Sequence, residues 1–98
     1  MSSSAPSRPA VKTRSDVEDA VIREFRTAAG HHSADVSLAS DYRKDLGISS
    51  MGFMSAICAL EKRLGISLVE RIDQLSTSTR LSDIASTIVF VLKRQHLI

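Results

Sequence analysis

Two adjacent serines, Ser49 and Ser50, stand where an apolar helix is expected to begin, in the sequence Gly47-Ile48-Ser49-Ser50-Met51. The N-terminus of a helix presents unpaired N–H groups and a partial positive charge, so it stabilises a bound or attached phosphate. Gly47 allows the incoming chain to turn sharply just before the helix. An exposed serine at this place therefore suits a phosphodiester, although a serine that only caps the helix is the simpler alternative.

A catalytic role for either serine is a weaker hypothesis, because a serine nucleophile needs a base that a third group orients. His31 and His32 precede the serines, but no carboxylate or further ligand accompanies them at a suggestive spacing. We expect two solvated loop histidines, no metal site and no catalytic residue. A small hydrolase that depends on these histidines is kept as one alternative function, ranked below the two that are given at the end of this section.

Length and composition indicate one small domain of 98 residues with a mainly aliphatic core. The longest apolar run, Ile88–Leu92, is far too short to span a bilayer, and the single Cys58 cannot form an internal disulfide. We therefore expect a cytoplasmic monomer. The pI near 9 comes from an acid-free stretch at residues 1–14, since the remainder has ten basic against eleven acidic residues. Nucleic-acid binding is not indicated, because no basic cluster lies along the folded part.

The chain divides into a basic tail at residues 1–14, expected to be disordered, and a folded domain at residues 15–95. Ser15 and Glu18 read as a capping box that opens the first helix, and Gly30 reads as its C-terminal cap. The expected buried face of this helix consists of Val17, Val21, Phe25 and Ala28.

A long loop at residues 31–48 follows, and its apolar residues Leu38, Tyr42 and Leu46 should hold it against the core. The second helix should run from Ser50 to Leu64 and end at Gly65. A short helical turn is expected near residues 69–75. The last helix should be capped by Thr79 and should bury one stripe: Leu81, Ile84, Ala85, Ile88 and Leu92.

The second helix is apolar on two sides at 100° per residue. One side should face the core, with Phe53, Ala56, Ile57, Leu60 and Leu64. Met51, Met54 and Cys58 lie on the opposite side with Ser55 and Lys62. Either other elements cover this second stripe, or it is a docking surface, for which adaptable methionines are well suited.

Three segments together resemble the acyl carrier protein family: Asp45-Leu46-Gly47-Ile48-Ser49-Ser50-Met51, Ala59-Leu60-Glu61 and Leu64-Gly65-Ile66. The resemblance extends over about residues 15–95 and includes the Thr-x-Leu-x-Asp-Ile start of the last helix. It implies an all-α fold, a four-helix bundle with a short third helix and a long loop between the first two helices.

The resemblance also implies a function. The position that the family esterifies with 4′-phosphopantetheine, donated by coenzyme A, corresponds to Ser50. The arm would hold acyl, polyketide or aminoacyl groups as thioesters, and the protein itself would not be an enzyme. One implied partner is a phosphopantetheinyl transferase. The other is an enzyme that loads or extends the cargo: an acyl- or adenylate-forming loading enzyme, a ketosynthase, an acyltransferase or a condensing enzyme.

This chain departs from the family pattern at the docking residues. Ser49 stands where the family usually has Asp, and Gly52 and Ser55 stand where acids are common. Such departures favour a specialised carrier with dedicated partners over the housekeeping fatty-acid carrier. The predicted docking residues are Ser49, Met51, Met54, Ser55, Cys58 and Lys62. The second-ranked function is a carrier-like interaction module that is never phosphopantetheinylated.

Overall fold

The computed structural model describes residues 13–30, 36–77 and 80–95, and within these ranges it contains helices but no strand. The elements are α1 (Arg14–Ala29), α2 (Ser50–Leu64), a 3-10 turn (Val69–Arg71) that leads into α3 (Ile72–Thr77), and α4 (Leu81–Arg94). The predicted all-α fold, a four-helix bundle with a short third helix and a long first loop, is confirmed. The predicted disordered tail lies almost entirely outside the described residues, as do His31 and His32.

Helix α1 packs against both α2 and α4 and so lies at the centre of the bundle. Its buried residues are Val17, Ala20, Val21, Phe25 and Ala29, whereas Ala28 is only partly buried. The predicted core faces of α2 and α4 are also confirmed, with Leu64 partly buried at the edge. Burial of this apolar stripe is what stabilises the short helices, since each would be marginal alone.

The first helix begins earlier than predicted, and the capping box at Ser15 and Glu18 is wrong. Thr13 is the N-cap: its hydroxyl accepts from the Asp16 N–H at 3.2 Å, and the Asp16 carboxylate accepts from the Thr13 N–H at 3.1 Å. The earlier start brings Arg14 into the helix, where its guanidinium pairs with Glu18 one turn on at 3.1 Å. Thr13 with Asp16 and Ser15 with Glu18 both satisfy the capping pattern. The start at Thr13 is the one that also allows the ion pair between Arg14 and Glu18.

The long loop is held on the core by its apolar residues, as predicted. Tyr42 and Leu46 are fully or almost fully buried, and Leu38 is partly buried. The Tyr42 ring stacks on Phe53 of α2 with ring centroids 4.8 Å apart, and both rings contact Phe25 of α1. The loop therefore joins the first two helices through one aromatic cluster.

The start of α4 differs from the expectation that Thr79 caps it. Arg80 holds the N-cap position and supplies no side-chain cap, while Thr79 lies outside the described residues. Two loop carbonyls take the place of a cap: Ser40 accepts from the Leu81 N–H at 3.0 Å, and Leu38 accepts from the Ser82 N–H at 2.9 Å. The free N–H groups of the first turn are thus satisfied from the loop that precedes α2.

Candidate functional site

Helix α2 begins at Ser50 and ends at Leu64, as the sequence predicts. Gly47 has a φ of 63°, a conformation that a residue with a side chain seldom adopts, so it turns the loop into the helix. Gly65 ends the helix in the left-handed conformation, and its N–H donates to the Glu61 carbonyl at 2.8 Å. These two glycines fix where α2 starts and stops, and thereby which serine lies at which position of its first turn.

The two adjacent serines have different surroundings in the structure. Ser49 is the N-cap, and its hydroxyl accepts from the Gly52 N–H at 3.1 Å. Ser50 is the first residue of the helix and is exposed, and its hydroxyl has no hydrogen-bond partner among the described residues. Of the two hydroxyls, that of Ser50 is therefore the one left without a partner in this part of the chain.

The surroundings of Ser50 fit an attached phosphate. The first hydrogen bond along α2 is donated by the Phe53 N–H to the Ser49 carbonyl, so the N–H groups of Ser50 and Met51 have no acceptor within the helix. The first turn also contains no acidic residue. An anion at this position would meet unpaired donors and the positive end of the helix dipole without a repelling carboxylate in that turn.

The second apolar stripe of α2 is exposed, so the alternative that other elements cover it is wrong for the described chain. Met51 is 82% exposed and Met54 is 38% exposed, and Cys58 is exposed as well. With Ser50 and Ser55 these residues line an open groove of about 410 Å³. The structure thus brings Ser50 and four of the six predicted docking residues together on one side of the helix.

The charged residues at the end of α2 are not equivalent. One carboxylate oxygen of Glu61 accepts from the backbone N–H groups of Leu68 and Val69, at 2.6 and 2.9 Å. Arg63 pairs with Glu24 of α1 at 2.8 Å. Lys62 is exposed and has no ion-pair partner in the described part of the chain. The sequence gives no signal for the contacts of Glu61 and Arg63, because their partners come close only when the helices pack.

Gly52 accounts for one departure from the family pattern. A Cβ atom at this position would lie 2.9 Å from Cγ2 of Ile48, which is closer than real Cβ contacts. Ile48 is itself buried, with 6% of its surface exposed. The close packing of these two residues leaves no room for an acidic side chain at position 52 unless Ile48 moves.

Two other features bear on the class of protein. In the described ranges, no three or more His, Cys, Asp or Glu side chains are grouped so that they could hold a metal ion. No helix in the same ranges has the length and apolar character needed to cross a membrane. Neither finding involves residues 31–35, so nothing in the structure tests a role for the two histidines.

Comparison with known proteins assigns the chain to a family. Residues 19–88 match the family model described as a phosphopantetheine attachment site. No significant match was found among curated proteins or among solved structures. The family match covers more than two thirds of the chain, and it includes the loop, α2 and most of α4. The chain therefore belongs to the phosphopantetheine-binding carrier family, whose covalently attached prosthetic group is 4′-phosphopantetheine.

Proposed function

We propose that this protein is an acyl carrier protein that holds acyl, polyketide or aminoacyl intermediates as thioesters on a 4′-phosphopantetheine arm at Ser50. The observation that carries the proposal is the difference between the two serines. Ser49 uses its hydroxyl to cap α2, whereas the Ser50 hydroxyl is exposed and unpartnered beside free backbone N–H groups. Once attached, the phosphate would be stabilised at that helix end.

The groove beside Ser50 supports a docking role for the same side of α2. We define the outer face of α2 as Met51, Met54, Ser55, Cys58 and Lys62, and we propose that partner enzymes contact it together with Ser49. Flexible methionines suit such a surface because their side chains adapt to different partners. The partners are a phosphopantetheinyl transferase and the enzymes that load and extend the cargo, in a specialised pathway.

The mass of the intact protein tests the attachment site. The full chain is incubated with coenzyme A and a broad-specificity phosphopantetheinyl transferase, alongside the matched variants Ser49→Ala and Ser50→Ala. We expect one phosphopantetheinyl group on the wild type and on Ser49→Ala, and none on Ser50→Ala. Circular dichroism of both variants shows that each is folded before the reaction.

The outcomes separate the proposed carrier from an interaction module. If the wild type gains no group with any transferase of a broad panel, the carrier function fails and the unmodified module takes its place. If the group persists in Ser50→Ala, the assigned attachment position is wrong. When the wild type is modified and loaded, neutral hydroxylamine should release the cargo, because it cleaves thioesters.

A further inference from the structure

The outer face of α2 forms one continuous strip. At 100° per residue its five residues fall within a sector of about 100°, and Lys62 lies one turn beyond Cys58 in the middle of that sector. The strip is apolar for most of its length, since Met51, Met54 and Cys58 are exposed along it. A partner that covers the strip would therefore contact apolar side chains first and Lys62 at the far end from Ser50.

The electrostatic character of this face follows from how the other charges of α2 are used. Glu61 is the only acid of the helix, and its carboxylate is directed at the backbone of Leu68 and Val69. Arg63 is directed at α1 through Glu24, and both side chains of this pair are mostly buried. Lys62 is thus the one charge of α2 that is left for a partner among the described residues.

The start of the helix also carries no acid. Ser49 caps α2 with a neutral hydroxyl, and a side chain at position 52 would press on Ile48. The outer face of α2 therefore presents a formal charge of +1 and no carboxylate. A partner that offered a cluster of lysines or arginines would oppose Lys62 and find no carboxylate on this face.

We propose that the outer face of α2 docks on enzymes that present an apolar surface bordered by a carboxylate, which pairs with Lys62. This inference rests on the proposed carrier function and specifies the chemistry of its partners. This surface covers Met51, Met54 and Cys58, whose burial supplies most of the binding free energy. The carboxylate selects the partner, because charge pairs at a rim influence which surfaces associate more than how tightly they bind.

Two synthetic amphipathic peptides test the inference on the full unmodified chain. Both are helical and share one leucine face, which is bordered by glutamates in the first peptide and by lysines in the second. Binding is followed through ¹³C-methyl methionine signals, in which Met51 and Met54 report on the face. Because no arm is needed, failure here is distinguishable from failure of Ser50 to be modified.

We expect the glutamate peptide to shift the Met51 and Met54 signals and to bind about fivefold more tightly than the lysine peptide, a difference of the size expected when one exposed charge pair changes from attraction to repulsion. Lys62→Glu should reverse this order. Lys93→Glu makes the same change in net charge at an exposed position of α4, and it should leave the order unchanged.

Four results would overturn the inference. The lysine peptide could bind the wild type as tightly as the glutamate peptide, or Lys62→Glu could leave the order unchanged. A third such result is that neither peptide shifts the Met51 and Met54 signals. Finally, signals that shift with the concentration of the chain alone would show that the occupant of the face is a second copy of this protein.

Discussion

The carboxylate of Glu61 accepts a hydrogen bond of 2.6 Å from the backbone N–H of Leu68, and a second one from Val69. These bonds attach the last turn of α2 to the 3-10 turn before α3. Leu68 is fully buried, so its N–H would find no water if the carboxylate were removed.

We therefore expect Glu61→Ala to lower the free energy of unfolding by about 2 kcal/mol, the usual size for hydrogen bonds to a charged group. Glu61→Gln keeps one acceptor oxygen and should lose less. Urea unfolding followed by circular dichroism measures both. Lys62→Ala, the exposed neighbour, is the control and should stay within about 0.5 kcal/mol of the wild type. A similarly small loss for Glu61→Ala would contradict the assigned role.

The two serines should also differ in their effects on stability. Ser49→Ala removes the N-cap hydrogen bond to Gly52 and should cost about 1 kcal/mol. Ser50→Ala removes a hydroxyl without a partner and adds a better helix former, so stability should stay the same or rise by about 0.5 kcal/mol. Thermal and urea unfolding of the two unmodified variants compare them directly. Equal losses would mean that both hydroxyls take part in capping.

The Tyr42 hydroxyl is buried and has no hydrogen-bond partner within residues 13–30, 36–77 and 80–95. A buried polar group without a partner costs about 1–3 kcal/mol. Tyr42→Phe keeps the ring that stacks on Phe53 and removes only this hydroxyl, so the free energy of unfolding should stay the same or rise by about 1 kcal/mol. Tyr42→Leu, which removes the ring, is the destabilising control. A clear loss in Tyr42→Phe would reveal a partner for the hydroxyl.

Gly52→Ala should fail to stabilise α2, although alanine is favoured over glycine in a helix by about 1 kcal/mol. The added methyl group would lie 2.9 Å from Cγ2 of Ile48. We expect a net loss of about 1 kcal/mol, as is usual for an overpacked contact. Ile48→Ala removes the opposing atom, so Gly52→Ala should be less costly in that background. A double-mutant cycle by urea unfolding measures the difference, and additive effects would exclude the contact as the cause.

Attachment of the arm should itself stabilise the fold. A phosphodiester on Ser50 places a negative charge at the start of α2, whose first turn has no acid. Charges at helix ends contribute about 0.3–1 kcal/mol, which corresponds to a rise of a few degrees in Tm for a domain of this size. Differential scanning fluorimetry of modified and unmodified chain should show the rise at low salt and its loss near about 1 M salt. An unchanged Tm at low salt would argue against a dipole effect.

The sequence predicts the helices better than it predicts what connects them. The bounds of α2 follow from Gly47, Ser49 and Gly65, which act on the neighbouring backbone alone. The sequence predicts the start of α1 too late because Thr13 and Ser15 both satisfy a capping pattern, and only contacts made in the folded chain distinguish them. Local signals suffice where the determining residues are adjacent.

The site shows the same division between local and tertiary information. Helical periodicity places Met51 on the side opposite the core face but leaves open whether other elements cover it, and the choice of Ser50 over Ser49 comes from the resemblance to the family. Glu61 accepts from the Leu68 N–H, and Arg63 pairs with Glu24. These partners come close only when the bundle forms, so neither contact can be predicted from the sequence. Counting charges along the sequence therefore misjudges which of them a partner would meet.

The hydrogen bonds between the first loop and α4 have a consequence for motion. Ser40 and Leu38 accept from the first turn of α4, the Arg80 guanidinium donates to the Ala39 carbonyl at 2.7 Å, and Tyr42 packs on α2. This part of the loop should open only when α4 also opens, as one cooperative unit. The start of α2 is then a fixed pivot, and under the proposed function the cargo on an arm at Ser50 would travel by rotation about the single bonds of that arm.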